Sequence, residues 1–249
     1  MSRGRNSFVK NLSVILFWGI LWQITAAAVG NFLLLPTPVQ VLRRLGGLMA
    51  TAAFWQITAV SIGRILLGAA AAVALGILLA VLTSVSPPAE ALIAPVMTAL
   101  QATPVASFAI LVLIWLERDW VPVLICGMMV LPVIWRNVCA GIRETDGQLL
   151  EMARVYRLPK TRILRRIYIP SVLPYFRAAC TAALGLGWKA GIAAEVLTVP
   201  KASMGRMISE AKLYLMTEDL FAWTLAVVIL SLLLEKLMMK ALGGRNDHA

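Results

Sequence analysis

Three stretches of this chain carry no charged side chain at all: Asn11–Val41, Ile65–Pro88 and Ala91–Leu116. A hydrocarbon layer of about 30 Å is crossed by roughly 20 apolar residues in helical form. Each stretch is long enough. Inside such a layer every backbone N–H and C=O must find its partner within the segment, which leaves helices as the economical solution for a chain of this pattern. Only 14% of all residues are charged, against about 25% in soluble domains. The mean hydropathy of +0.84 agrees. The expected fold class is an all-α polytopic membrane protein.

Reading apolar runs against turn signals predicts six transmembrane helices, at about 12–33, 60–83, 91–116, 120–141, 172–199 and 219–239. Between the first two, 39–56 reads as a short amphipathic surface helix carrying Arg43 and Arg44. With the amino terminus inside, the inner regions hold thirteen Lys and Arg and the outer loops six, with Arg64 near an outer boundary. The excess of bases on one side places both termini in the cytoplasm. A net charge of +11 is thereby topological, and no nucleic-acid partner is expected. A cleaved signal peptide would need a shorter apolar run than the one that follows Arg3, Arg5 and Lys10; Trp18, Gln23 and Phe32 fit a retained helix. Cys126, Cys139 and Cys180 form neither a disulfide framework nor a metal site and are expected to be small buried hydrophobes. His248 is read as a solvated tail.

The segment 143–170 stands out against this background. It carries seven bases from Arg143 to Arg166. A helix is expected from Asp146 to Tyr156, with Met152, Val155 and Tyr156 on one face. A second is expected from Lys160 to Ile169, ended by Pro170, with Ile163, Leu164 and Ile167 on one face. A loop of about 28 residues with ordered apolar and basic positions is more than a topology anchor requires. Two such helices could lie on lipid headgroups or enter a groove on a partner.

Glu151-Met152-Ala153, three residues, Arg157, nine residues and Ile167-Tyr168-Ile169-Pro170 resemble the EAA motif of ABC-importer permeases, with its spacing intact. Met152 replaces an alanine, Ile169 a leucine and Arg157 a glycine. A glycine slot implies a left-handed turn, which costs an arginine conformational energy, and Pro159 is a candidate to form the turn instead. "LPTPVQVL", "SIGRILLG", "TPVASFAILVLIW" and "WKAGIAAE" are similar to the nitrate/taurine/alkanesulfonate-type branch of the binding-protein-dependent transport inner-membrane component family. The resemblance implies a type I ABC-importer permease fold over residues 1–249 as a single transmembrane domain, with 143–170 as its cytoplasmic coupling loop. It implies that Glu151, Met152, Ala153, Tyr156, Arg157, Leu158 and Pro159 meet a cytoplasmic ABC ATPase. It also implies a bacterial inner-membrane location, a second copy of the chain, an extracytoplasmic solute-binding protein and surrounding membrane lipid.

Within the spans, Gly68, Ala72, Gly76 and Ala80 form one stripe of small residues at i+4 spacing. Ala183, Gly187, Gly191 and then Glu195 form another. Such stripes let helices approach closely in lipid, and they direct Glu195 to an interface or gating role. Lys189 and Glu195 lie about 120° apart on their helix and are not expected to pair. Arg64 and Arg136 are read as snorkelling or capping residues. Prolines 95, 104, 122 and 132 are expected to interrupt the third and fourth spans. Gln101, Thr103, Ser107, Lys189 and Glu195 are candidates to line a translocation path. No GxxxxGK[ST] occurs, and no nucleophile–base pair or metal cluster stands out. The chain is therefore expected to be a non-catalytic subunit without a cofactor of its own, ATP and Mg being held by the partner ATPase. The rival reading is the transmembrane component of an energy-coupling-factor vitamin transporter; that family carries two Ala-Arg-Gly-type coupling motifs, whereas Ala153-Arg154-Val155 occurs once.

Overall fold

The computed structural model describes residues 2–31 and 33–241; Phe32, Arg245 and His248 lie outside the described residues. Helix α1 spans Ser2–Val29, α2 Pro38–Met49, α3 Ala52–Val85, α4 Pro87–Ala102, α5 Val105–Val112 and α6 Val121–Arg143. They are followed by α7 Gly147–Val155, α8 Lys160–Ile163, a π-helical turn Leu164–Tyr168, α9 Ile169–Thr198, α10 Met204–Leu213 and α11 Thr217–Ala241. Among the described residues, four helical stretches are long and apolar enough to cross a membrane: Ala52–Val85, Val121–Arg143, Lys160–Thr198 and Thr217–Ala241. The pair α4 and α5 makes a fifth if a bend of 102° is counted within one crossing. Helix α1 contributes a further apolar stretch, Leu16–Val29, and its Trp22 ring lies 5.9 Å from Phe221 on α11.

Helix α6 forms the centre. It packs chiefly on α3 and α9, and the small-residue stripes are where it does so. A Cβ on Gly68 would sit 2.2 Å from the Val123 carbonyl oxygen, and one on Gly187 2.8 Å from Cys126 Sγ and from Val130. Only glycine permits these two crossings at that distance. Gly76 meets Ile134 on α6, and Gly191 meets Ile65 on α3. Ala72, Ala80 and Ala183 are buried beside them. The three cysteines are buried and free. Two indole N–H groups drawn into this core are paired: Trp135 Nε1 donates to Thr83 Oγ1 at 3.1 Å, and Trp188 Nε1 to the Val227 carbonyl at 3.3 Å.

Four local outcomes differ from the sequence reading. The surface helix ends at Met49, and the following span begins at Ala52, because Thr51 caps it by accepting from Phe54 N–H. The third span is broken: Thr103 is extended ahead of Pro104 (φ −71°, ψ 124°), as the clash with a proline ring demands. Its hydroxyl donates to the Ala99 carbonyl at 2.7 Å. Pro104 alone of the four named prolines breaks a helix, since Pro122 occupies a first turn and Pro95 and Pro132 are carried inside α4 and α6. Finally, Pro170 does not end the second loop helix, which runs unbroken from Lys160 to Thr198. The turn before it widens to π geometry, with Ile169 N–H donating to Leu164 O. A wider turn accommodates a proline ring that would collide with a regular α-turn.

Candidate functional site

Two places concentrate chemistry, one at each end of the bundle. At the end where α6 passes into α9, Asp146 caps α7 by accepting from Gln148 N–H at 2.8 Å. The helix is closed by a pair of bonds: Leu158 N–H to Ala153 O at 2.9 Å and Arg157 N–H to Arg154 O at 3.0 Å. These are the 6→1 and 5→2 bonds of a Schellman cap, whose C′ residue must be left-handed. That residue is Arg157, with φ +48°. Arginine thus fills the glycine slot in glycine's conformation, and Pro159, in extended conformation (φ −64°, ψ 146°), starts α8 instead of making the turn.

The cap orients what α7 presents. Leu149, Met152, Val155 and Tyr156 are exposed, Val155 at 79% and Tyr156 at 73%. Their spacing places them along one face of α7. Ala153 is fully buried, and Leu158 is half-buried. Glu151, Arg154, Arg157, Lys160, Arg162, Arg165 and Arg166 are exposed around the apolar face, and none of them has an ion pair among the described residues. An apolar strip rimmed by unpaired charge on a short protruding helix is the anatomy of a protein-docking surface.

The second place is a buried polar clasp at the opposite end. Glu195 has no exposed surface. Its Oε2 accepts from Ser61 Oγ at 2.8 Å and from Gly205 N–H at 3.1 Å, and Ser61 Oγ in turn accepts from Met204 N–H at 2.9 Å. Arg64 Nη1 stands 3.8 Å from Glu195 Oε1. Its Nη2 donates to Asp119 Oδ1 at 2.7 Å and to the Lys201 carbonyl at 2.8 Å, while Lys201 N–H donates to the same Asp119 oxygen at 2.9 Å. One network therefore joins α3, the α5–α6 loop, the end of α9 and the start of α10. It holds strained chain: Val199 (φ +49°) and Ala202 (φ +45°) are left-handed, a costly conformation for residues with a Cβ and most of all for a β-branched one. Gly205 is obligatory there, since its Cβ would fall 2.3 Å from that of Glu195.

The other path candidates are dispersed. Gln101 Oε1 accepts from Arg136 Nη2 at 2.6 Å on the exposed surface, so Arg136 is engaged with a polar neighbour and does not merely snorkel. Thr103 is half-buried at the bend; Ser107 and Lys189 are exposed. Lys189 and Glu195 do not meet. Sequence reasoning missed Asp119, Ser61 and Gly205 as the partners of Arg64 and Glu195. The signal available was Ser61 and Arg64 three apart on one helical face, opposite a carboxylate already placed on a packing stripe.

Residues 72–242 match the family model for the binding-protein-dependent transport system inner membrane component. A Bacillus subtilis (strain 168) protein assigned to aliphatic sulfonates transport as a permease is 25% identical over 99% of this chain and 91% of its own length. The taurine transport system permease protein of Escherichia coli (strain K12) is 25% identical over 98% of this chain and 90% of its own. The formylaminopyrimidine transport permease protein of Halalkalibacterium halodurans is 28% identical over 63% of each chain.

Proposed function

The chain belongs to the family of binding-protein-dependent transport system inner membrane components, and from that premise we propose that it is the membrane subunit of an ATP-driven importer of a small solute. The observation that carries this reading is α7, whose exposed apolar face is held at a fixed angle by the Arg157 cap in the middle of an otherwise membrane-bound chain. The whole chain acts as one permease domain crossing the membrane six times, with α1 and the bent α4–α5 pair each counted as a crossing. Residues 143–170 face the cytoplasm together with both termini of a multi-pass inner-membrane protein.

In this account α7 docks into a groove on a cytoplasmic ABC ATPase. Met152, Val155, Tyr156 and Leu149 supply apolar contact, and Glu151 and Arg157 lie at its rim. Ala153 supports the surface from within, its side chain being buried; the Leu158 N–H closes the cap, and Pro159 starts the helix that follows. ATP and Mg belong to that partner, and this chain contributes no catalytic group. Two copies form the path for the solute, set in membrane lipid, with a solute-binding protein delivering from the end that carries the clasp. Glu195 keeps the outer end of α9 joined to α3 and α10, so that a push on α7 is transmitted along the continuous helix 160–198 to the outer face. Gln101, Thr103, Ser107 and Lys189 border the path.

The test is co-purification with a co-expressed candidate ABC ATPase chain, followed by ATP hydrolysis. Val155→Asp together with Tyr156→Asp is expected to abolish both complex and hydrolysis while leaving the chain folded in the membrane. Unchanged complex and unchanged hydrolysis would remove α7 from the coupling role.

A further inference from the structure

Helices α3 and α9 touch at the clasp end of the bundle, where Gly191 meets Ile65 and Ser61 holds Glu195. Toward the α7 end they part, and α6 forms the floor between them. The space is a groove of about 470 Å³, walled by Val81 and Val85 of α3, Ile142 of α6, and Tyr168, Val172 and Phe176 at the start of the α9 stretch. That volume is in the range of a small-molecule site. Ser84 also borders it, but its hydroxyl proton is used on the Ala80 carbonyl at 2.7 Å, so the lining is almost wholly apolar. The groove lies on the far side of α6 from α4. Arg136 and Arg143, which bind Gln101 and Glu90 of α4, stand about 100–160° around α6 from the lining residues Val138 and Ile142. It therefore opens away from the path and toward surrounding lipid.

The mouth of the groove is basic. The π-helical turn that carries Leu164 and Tyr168 also carries Arg165 and Arg166, and Lys160 and Arg162 stand just before it. Arg177 follows Leu173, another lining residue, by one turn on the same row. All five basic side chains are exposed and make no hydrogen bond or ion pair among the described residues. No acid occurs between Lys160 and Arg177, nor anywhere in α3 or α6. Tyr168, an amphipathic ring of the kind that settles at headgroup level, stands between the apolar groove and its basic mouth.

We propose that this groove binds one anionic phospholipid of the cytoplasmic leaflet, with an acyl chain along Val81, Ile142, Val172 and Phe176 and its phosphate on Arg165 and Arg166. The inference rests on the reading above that places 143–170 in the cytoplasm. Guanidinium groups match phosphate oxygens in paired geometry, and an anionic headgroup supplies the counter-charge that the chain withholds. A second copy of the chain is the poorer occupant. Two-fold symmetry would bring the same five bases against themselves. Insertion of the partner's α1 would add Arg3, Arg5 and Lys10, again without an acid, at the same cytoplasmic end.

The experiment reconstitutes the full chain in phosphatidylcholine bilayers that contain a trace of photoactivatable phosphatidylglycerol or, separately, of photoactivatable phosphatidylcholine. Each probe carries its reactive group in the acyl chain, and adducts are located by peptide mass spectrometry. At equal mole fraction the phosphatidylglycerol probe is expected to label residues 81–85 and 172–176 at least about fivefold more strongly, the advantage that one nearby base gives an anionic headgroup. Added unlabelled phosphatidylglycerol is expected to compete that labelling away. Arg165→Gln with Arg166→Gln is expected to bring the ratio near unity, and Arg165→Lys with Arg166→Lys to retain most of it. Val81→Trp fills the groove and is expected to remove the labelling of 172–176 with every base in place. The exposed positions 165 and 166 keep the test independent of whether the tryptophan variant folds. Equal labelling by the two probes, or a preference that survives Arg165→Gln with Arg166→Gln, would overturn the inference. So would a groove that neither probe labels, the result expected if a second copy covers it. The cytoplasmic placement is read separately: labelling of Gln148→Cys in intact cells by a membrane-impermeant maleimide would overturn that placement, and with it the leaflet assigned to the lipid.

Discussion

Replacing Gly205 by alanine strikes the clasp at its tightest point. The added methyl would lie 2.3 Å from Glu195 Cβ and 2.5 Å from both the Glu195 carbonyl carbon and the Val196 nitrogen. Ordinary contact needs roughly 3.5–4.0 Å, so α10 and the end of α9 must part by more than 1 Å. The obstructing atoms include backbone and cannot rotate away. That separation stretches the 3.1 Å bond from Gly205 N–H to Glu195 beyond bonding distance and strains the 2.9 Å bond from Met204 N–H to Ser61. A bond to a charged group contributes about 1.5–3 kcal/mol, and overpacking a filled interior costs about 1–3 kcal/mol. The sum is about 2.5–6 kcal/mol, which for a chain of this size corresponds to a fall in melting temperature of at least about 5 °C. The assay is thermal unfolding of the purified chain in detergent. Gly47→Ala is the control: its Cβ meets nothing within 4 Å in the last turn of α2, and the substitution is expected to be neutral or to stabilise by up to about 1 kcal/mol. A Gly205→Ala melting temperature within about 1 °C of the parent would refute the close approach on which the clasp is built.

Two further substitutions probe separate parts of the account. Arg157→Gly relieves a left-handed arginine and is expected to stabilise the α7 cap by about 1 kcal/mol, read as slower hydrogen exchange at Leu158 N–H; Arg157→Val, β-branched in the same conformation, is expected to accelerate that exchange. Arg64→Met leaves the buried Glu195 without its neighbouring cation and Asp119 without its guanidinium, and is expected to cost about 3 kcal/mol or more. Adding Glu195→Gln is expected to recover at least half of that in the same thermal assay, because the buried charge itself is then gone.

The long helices were legible because their cause is local. A charge-free run has one low-cost conformation in lipid, and the spans around 60–83, 120–141, 172–199 and 219–239 coincide with α3, α6, α9 and α11 up to their ends. What was not legible depends on partners remote in sequence or on a choice between near-equal local conformations. Gly187 announces a close approach but not that Cys126 and Val130 are what approaches. Glu195 lies on a packing stripe, yet Ser61 is 134 positions away and no spacing rule joins them. The motif spacing identified Arg157 as occupying a glycine slot; whether arginine takes the left-handed well or passes the turn to Pro159 depends on the two cap bonds to Arg154 and Ala153 outweighing a strain of similar size. Pro104 and Pro170 look alike as letters. One breaks its helix and the other is absorbed by a π turn, a difference decided by the packing of the flanking turns.

The coupling role of α7 is tested most directly by a photo-crosslinking side chain placed at Tyr156 in living cells, with one at Trp115, an exposed residue beside the clasp end of the bundle, as the comparison. The expected result is an adduct from position 156, and none from 115, with a chain that carries a P-loop, and its loss when Val155→Asp is added. An adduct pattern in which position 156 meets only lipid, in membranes where ATP-driven uptake is intact, would contradict the account.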